Sequence, residues 1–353
     1  MSFYSSIIRP ILFRAEPETA HELGIKALEL GLAAPFYQKE PDWLEPTELF
    51  GLKFSNPLGM AAGFDKNGVV VDQLAQLGFG FVEVGTVTFR PQLGNPKPRM
   101  FRLPADQALI NRLGFNNEGA EVVAERLRKL KRRCVVGVNI GKNKDVPNEE
   151  AVENYLASFD VVHPIADYLA VNISSPNTPN LRKLQQADSL DELVSALQRR
   201  NDQLGHKPLL VKIAPDLIDA EIESCVDVCR RYGVDGIIAT NTTISRKGLK
   251  TRDVEALGAG GLSGKPLASR SDEVISKIYR YSGGTIPIVG VGGIFTSEDA
   301  FRKIAAGASL VQAYTGFVYG GPRFADDVLT GLAAKLREHG FSSVQQAVGS
   351  ASI

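Results

Sequence analysis

The sequence predicts an α/β protein, a (β/α)8 TIM barrel carrying a small N-terminal helical extension, and three observations lead there. From Asn56 onward one rhythm recurs: a short β-rich apolar run, a polar or glycine loop, then a segment long enough for an outer helix. No Gly-x-Gly-x-x-Gly follows the first run, as a doubly wound nucleotide-binding sheet, the competing architecture, would require. With 353 residues at 44% hydrophobic, the chain can bury a large core, and this length suits one barrel with additions.

Taken in order, the first segment, Phe3 to Phe13, is apolar apart from serines, Arg9 and Pro10, so it lacks the basic leader and unbroken core of a secretion signal. Pro17 suits a first helical turn. In the helix that follows, Ala20, Leu23, Ala27 and Leu30 fall on one side, Ile25, Leu28 and Leu32 nearly opposite, and Glu22, Lys26 and Glu29 form a polar stripe between. One apolar side can face the main domain; the other needs a partner such as a subunit or a bilayer surface. Pro35, Pro41, Pro46 and Gly51 look like the connection, so residues 1–46 are expected to form the extension and 47–353 the barrel domain.

Eight β-rich runs then alternate with helical segments. The strands are expected at Pro57 to Ala61, Phe81 to Thr86, Val135 to Ile140, Tyr168 to Ile173, Leu209 to Ile213, Gly236 to Asn241, Ile286 to Val291 and Leu310 to Ala313. The helices are expected at Val69 to Leu77, Glu118 to Arg132, Glu149 to Val162, Leu190 to Leu204, Ile218 to Tyr232, Arg270 to Tyr281, Ser297 to Ala306 and Arg323 to His339.

Bulk composition excludes several function classes. Forty basic residues balance forty acidic ones, which gives no electrostatic footprint for nucleic acid. Three cysteines, Cys134, Cys225 and Cys229, are too few for a disulfide framework, and without neighbouring His or Cys they make no metal site; a reducing cytoplasm is the simplest compartment. No stretch approaches the roughly 18 apolar residues of a spanning helix.

Chemistry is expected at the carboxyl ends of the strands, where parallel α/β folds place their sites. After the fourth strand, Asn172-Ile-Ser-Ser-Pro-Asn-Thr178 packs amides and hydroxyls onto a loop stiffened by Pro176 and Pro179. Other strand ends carry Gly63 and Lys66, Thr86, Asn139, Lys212, Thr240 and Asn241, and Tyr314 and Thr315. This set offers two cations with amides and hydroxyls but no Asp-Asp or His-Asp pair, which suits holding a planar heterocycle better than hydrolysis. Gly290-Val-Gly-Gly-Ile294 and the Thr315-Gly316 loop lie where barrels commonly bind phosphate, and Gly258 to Gly264 reads as a flexible loop adding donors.

Four of these stretches, Gly59-Met-Ala-Ala-Gly-Phe-Asp-Lys66, Asn111-Arg-Leu-Gly-Phe-Asn116, Asn172 to Thr178 and Gly290 to Ile294, resemble the motifs of the class 2, quinone-linked dihydroorotate dehydrogenases. The resemblance runs essentially the whole chain. It implies a barrel that binds FMN, oxidises dihydroorotate to orotate in de novo pyrimidine biosynthesis and passes electrons to a membrane quinone. By the same resemblance Ser175 is the catalytic base, and Lys66, Asn111, Arg112, Leu113, Gly114, Phe115, Asn172, Asn177, Asn241 and Thr242 bind substrate. FMN positions match Ala62, Gly63, Phe64, Asp65, Lys66, Thr86, Asn139, Asn172, Lys212, Thr240, Gly264, Gly293, Tyr314 and Thr315, while His21 and Arg102 line the quinone tunnel.

The implied enzyme is peripheral to the cytoplasmic face of a bacterial inner membrane, touching the lipid surface through its N-terminal helices; the sequence leaves its oligomeric state open, a monomer being one option. An unperturbed hydroxyl is a poor base, so Ser175 is expected to act through a water relay at Thr178. Two other readings stay open on the residues alone: a cofactor-free lyase or isomerase with Lys66 or Lys212 as an imine-forming amine, and a catalytically silent membrane-binding barrel.

Overall fold

A computed structural model describes residues 4–37 and 45–351. Phe3 and Pro41, named above in the first segment and the connection, lie outside the described residues. The core is a closed barrel of eight parallel strands: β1 (Leu58–Met60), β2 (Phe81–Val87), β3 (Val135–Ile140), β4 (Tyr168–Asn172), β5 (Leu209–Ile213), β6 (Gly236–Ala239), β7 (Ile288–Val291) and β8 (Leu310–Ala313). Each pairs with its neighbours in sequence, and β8 closes on β1 through Val311 opposite Leu58 and Ala313 opposite Met60. Outer helices run between them at Val71–Gln76, Ala120–Leu127, Ala151–Val162, Ala187–Leu204, Asp219–Arg231, Ala268–Ser282, Ser297–Ala306 and Phe324–Glu338. Each strand expected from the sequence is present, with ends that agree or shift by at most two residues.

Strand alternation divides the apolar residues into two cores. The larger lies between strands and helices; the smaller fills the barrel lumen with Phe81, Tyr168, Leu210, Ile238, Val289 and Leu310. Two glycines make room for the aromatic members of that filling: a Cβ at Gly59 would fall within the Phe81 ring and one at Gly137 within the Tyr168 ring. From below, a hairpin of Thr47–Leu49 and Leu52–Phe54 plugs the barrel, with Phe54 edge-on to Phe81 at 5.3 Å. Its two-residue turn is Phe50-Gly51, both at positive φ (57° and 71°), so Gly51 belongs to a hairpin turn rather than to a plain connection.

Above the barrel lies a sheet that the sequence did not announce. Met100–Leu103 and Ala108–Asn111 pair antiparallel, and Gly261–Gly264 joins the second of them, Gly261 opposite Asn111. The glycine-rich segment read as a flexible loop therefore ends in a paired strand. Gly260 and Gly261 permit this close approach, because a Cβ at either would collide with Asn111 or Thr242.

Among the described residues the extension runs from a turn of π-helix at Tyr4–Ile8 through Arg9–Leu12 to the helix Pro17–Glu29 and a 3-10 turn at Ala34–Phe36, with Pro17 in the first turn of the longer helix and Glu16 accepting the Thr19 amide at 2.8 Å. Its faces differ from the periodicity reading. Ala20, Ala27 and Leu28 border one channel together, while Leu23 and Leu30 point outward. Leu32 lies beyond the helix end, so helical spacing does not position it.

Candidate active site

The carboxyl ends of the strands open into one cavity, lined by the loops after every strand except β3 and β5, with Lys212 reaching it from β5 itself, and roofed by the antiparallel sheet. Ser175 lies on its wall, buried, its Oγ accepting the Asn177 amide at 3.2 Å. The β4 loop is held from three sides. Tyr155 donates to the Asn172 carbonyl at 2.8 Å, Arg182 donates to the Ser174 and Thr242 carbonyls at 2.9 Å each, and Arg182 pairs with Asp216 at 2.8 Å. These bonds to backbone fix the hydroxyl-bearing loop against its neighbours after β5 and β6.

Around Ser175 the wall is built of amides. Asn177 Nδ2 donates to Asn111 Oδ1 at 3.2 Å, and Asn241 Nδ2 donates to Asn172 Oδ1 at 3.1 Å and Ser174 Oγ at 3.0 Å. Asn116 Oδ1 and Gln312 Oε1, both on lining residues, are buried and accept from no donor, so the wall carries unmet acceptors suited to a ligand with ring N–H groups.

Two cations face the same space. Lys66 makes no ion pair among the described residues; burial lowers its ammonium to about 8, with Glu18 pulling the other way and Arg99 adding to the fall. Lys212 rises from β5 toward the carboxylate of Glu83 at 3.8 Å; burial lowers its ammonium and Glu83 works against that.

At the far wall Gly264, Gly292, Gly293 and Thr315 come together. Gly293 has φ of 75°, and a Cβ there would sit 2.5 Å from that of Ala268, at the start of the helix Ala268–Ser282. Only glycine lets the β7 loop lie this close to a helix amino terminus, the arrangement that serves an anionic group.

The cavity thus brings together Ala62, Gly63, Lys66, Thr86, Asn111, Leu113, Gly114, Phe115, Asn172, Ser175, Asn177, Lys212, Thr240, Asn241, Thr242, Gly264, Gly293, Tyr314 and Thr315. Four expected residues stand elsewhere. Arg112 turns away, donating to the Leu257 and Ala259 carbonyls and covering the Phe101 ring at 4.6 Å. Asp65 accepts the Val69 and Val70 amides at 2.9 and 2.8 Å, a backbone anchor. Phe64 faces the adjoining channel, and Asn139 sits beneath Thr86, accepting its hydroxyl at 2.6 Å.

That channel runs between the extension and the barrel. His21, Leu28, Phe36, Phe64, Arg102 and Phe317 are among its lining, and it meets the main cavity at Met100, Leu109 and Tyr314, which border both. His21 stands edge-on to Phe64 at 5.1 Å and Phe64 to Tyr314 at 5.7 Å. Burial, then the charge of Lys66, lower His21 to about 3, so its imidazole is neutral near pH 7. Arg102 clasps the turn between the extension helices, donating to the Phe13 and Ala15 carbonyls at 2.8 Å each.

A second clasp went unread in the sequence. Glu18, on the extension helix, is 3% exposed and receives Arg99 through Nη2 at 2.7 Å and Nε at 3.0 and 3.1 Å. Arg99 also donates to the Leu93 and Asn95 carbonyls, and Asn95 donates to the Asn177 carbonyl at 3.2 Å. Burial pushes the Glu18 carboxyl up, but the Arg99 hydrogen bonds and charge, with Lys97 and Lys66, hold it below the usual carboxylate range.

Fold and site define an α/β-barrel enzyme whose mouth combines an anion cradle, an amide-rich wall and a buried hydroxyl, and which an apolar channel reaches from one side. The family model described as dihydroorotate dehydrogenase matches residues 45–336. Proteins named dihydroorotate dehydrogenase (quinone) from Roseiflexus sp. (strain RS-1) and Gloeobacter violaceus are each 51% identical, over 99% of both chains in the first case and 98% in the second. Crystal structures of DHODH from Eimeria tenella superpose with TM-scores of 0.88, in complex with ferulenol, and 0.89, ligand-free, at 41% and 42% identity. They cover 95% of this chain, and 95% and 99% of their own. The chain belongs to the dihydroorotate dehydrogenase family and is an oxidoreductase.

Proposed function

We propose that this enzyme oxidises dihydroorotate to orotate in de novo pyrimidine biosynthesis, with FMN as the first acceptor and a membrane quinone as the second. The observation that carries the reading is the junction at Met100, Leu109 and Tyr314, where a cavity holding Ser175, Lys66 and the asparagines meets an apolar channel. A water-soluble anion and an insoluble electron acceptor thus have separate approaches to one centre.

The residues present fit FMN. The Gly264, Gly293 and Thr315 cradle suits its phosphate, the unmet Gln312 acceptor suits a ring N–H, and Lys212 supplies positive charge within the barrel. When bound, the flavin supplies the acceptor for the hydride. The protein does the rest: Lys66 pairs with the substrate carboxylate, and Asn111, Asn172, Asn177 and Asn241 match its alternating N–H and C=O groups, since each amide offers both a donor and an acceptor. Ser175 accepts the proton leaving the ring carbon, and Thr178, buried three residues on, lies on the same loop for a water relay.

The extension, residues 1–46, forms the quinone entrance to the barrel domain that follows. Ile7, Ile11, Leu23, Leu30 and Leu32 are exposed on it, a surface suited to lying on lipid at the cytoplasmic face of a bacterial membrane. No helix among the described residues is long and apolar enough to cross a membrane. Purified protein should release FMN on denaturation and form orotate when given dihydroorotate and a short-chain quinone; a colourless protein without this turnover refutes the assignment.

A further inference from the structure

One layer below the mouth, the barrel holds a carboxylate that the chemistry above leaves unused. Glu83, on β2, is fully buried. Its Oε1 accepts from Asn139 Nδ2 at 2.8 Å and lies 3.8 Å from Lys212 Nζ; its Oε2 accepts from Tyr168 at 3.0 Å and from Gln312 Nε2 at 2.8 Å. Among the described residues it is the acidic group paired with Lys212. A chain of donors also ends on it. Asn241 donates to Asn172, Asn172 to Thr86 at 2.8 Å, Thr86 to Asn139 at 2.6 Å, and Asn139 to Glu83, so each amide's orientation follows from an acceptor that does not donate.

We propose that Glu83 is a positioning residue, the fixed counter-charge that keeps Lys212 an ammonium beneath the cofactor in either redox state. The proposal rests on reading this cavity as the FMN site. Burial without a counter-charge weakens a lysine's hold on its proton, whereas a carboxylate facing it in a dry barrel strengthens that hold.

The groups packed around Lys212 support a single partner. Glu83 faces it from β2, and Tyr168 from β4 lies across that carboxylate, with burial and then Glu83 raising the phenol so that it stays a neutral donor. Asn139, Val291 and Gln312, from β3, β7 and β8, and Thr240, just past β6, are uncharged. Lys66, at the rim, is the other cation lining the cavity, and Cys134 at the foot of β3 acts on Tyr168.

The consequence is a proton count. A two-electron reduction of the bound flavin brings one proton with the hydride equivalent; with Lys212 already charged, no second proton is drawn from solvent. Replacing the counter-charge by an amide leaves Lys212 neutral at rest. Reduction, which adds negative charge nearby, then draws a second proton onto Lys212 Nζ.

The test titrates FMN-loaded wild type, Glu83→Gln and Glu83→Asp with dithionite against a reference dye across the neutral and mildly alkaline range. Expected uptake per two electrons is about one proton in wild type and Glu83→Asp and about two in Glu83→Gln. A Glu83→Gln protein that keeps its flavin and takes up the same number of protons as wild type overturns the proposal. Where Glu83→Gln fails to fold, nitrogen-15 spectra of labelled lysine in the loaded wild type decide: a Lys212 ammonium signal at neutral and alkaline pH supports the proposal, and a neutral amine overturns it. A folded chain that binds no FMN refutes the functional reading and this proposal with it, and the flavin spectrum separates that result from a changed proton count.

Discussion

Replacing Glu18 with alanine should uncouple the two halves of the reaction. The carboxylate and the Arg99 guanidinium are both buried, with side chains 4% and 8% exposed, and three contacts of 2.7 to 3.1 Å join them. Removing one partner of such a pair costs about 3–5 kcal/mol, because the remaining charge stays buried and unpaired. That cost falls on the contact between extension and barrel. Arg99 keeps its bonds to the Leu93 and Asn95 carbonyls, so the substrate loop retains its support. A loss of this size shifts the docking equilibrium of the extension by about two to three and a half powers of ten. Stopped-flow measurements at neutral pH should show flavin bleaching by dihydroorotate within a few-fold of wild type and reoxidation by quinone strongly slowed. Equal losses in both steps, or no loss in reoxidation, would refute the reasoning. Acid should reproduce the effect in wild type. The folded Glu18 carboxyl titrates below its unfolded value, so its contribution is complete above the unfolded pKa and is lost as pH falls through the folded one.

Three further outcomes are expected. Ser175→Ala should slow flavin reduction about 100- to 10,000-fold while Ser175→Cys keeps part of the rate, measured by anaerobic rapid mixing; equal rates in all three proteins would exclude Ser175 as the base. With Lys66 lowered to about 8, KM for dihydroorotate should rise as pH passes that value, since only the ammonium binds the carboxylate; a flat KM profile would count against the pairing. Replacing the exposed Ile11 and Leu30 by glutamate should weaken sedimentation with anionic lipid vesicles and leave activity toward a soluble short-chain quinone intact.

The barrel was legible because its strands are short, largely apolar runs that alternate with helical segments, as in Val135 to Ile140 and Leu310 to Ala313, where expected and observed bounds agree. The sheet roofing the mouth was not, since Gly261 and Asn111 are far apart in sequence and no local pattern joins them. In the site, motif reading found the cavity wall but not the direction of each side chain. Asn111, at the end of its strand, lines the cavity and Arg112, just past it, turns away to bond the Leu257 carbonyl, a difference of direction that a motif conceals. Glu18 and Glu83 escaped notice for a related reason: a carboxylate is buried only when its partner arrives from elsewhere. Arg99 for the first and Lys212, Tyr168 and Gln312 for the second come from other elements. The one signal for Glu83 was a lone charge within the apolar run Phe81 to Val84.

Anaerobic mixing of the purified protein with dihydroorotate, followed by a quinone, tests the central claim most directly. Loss of visible flavin absorbance on the first addition and its return on the second is the predicted result; a flavin spectrum that dihydroorotate leaves unchanged would contradict it.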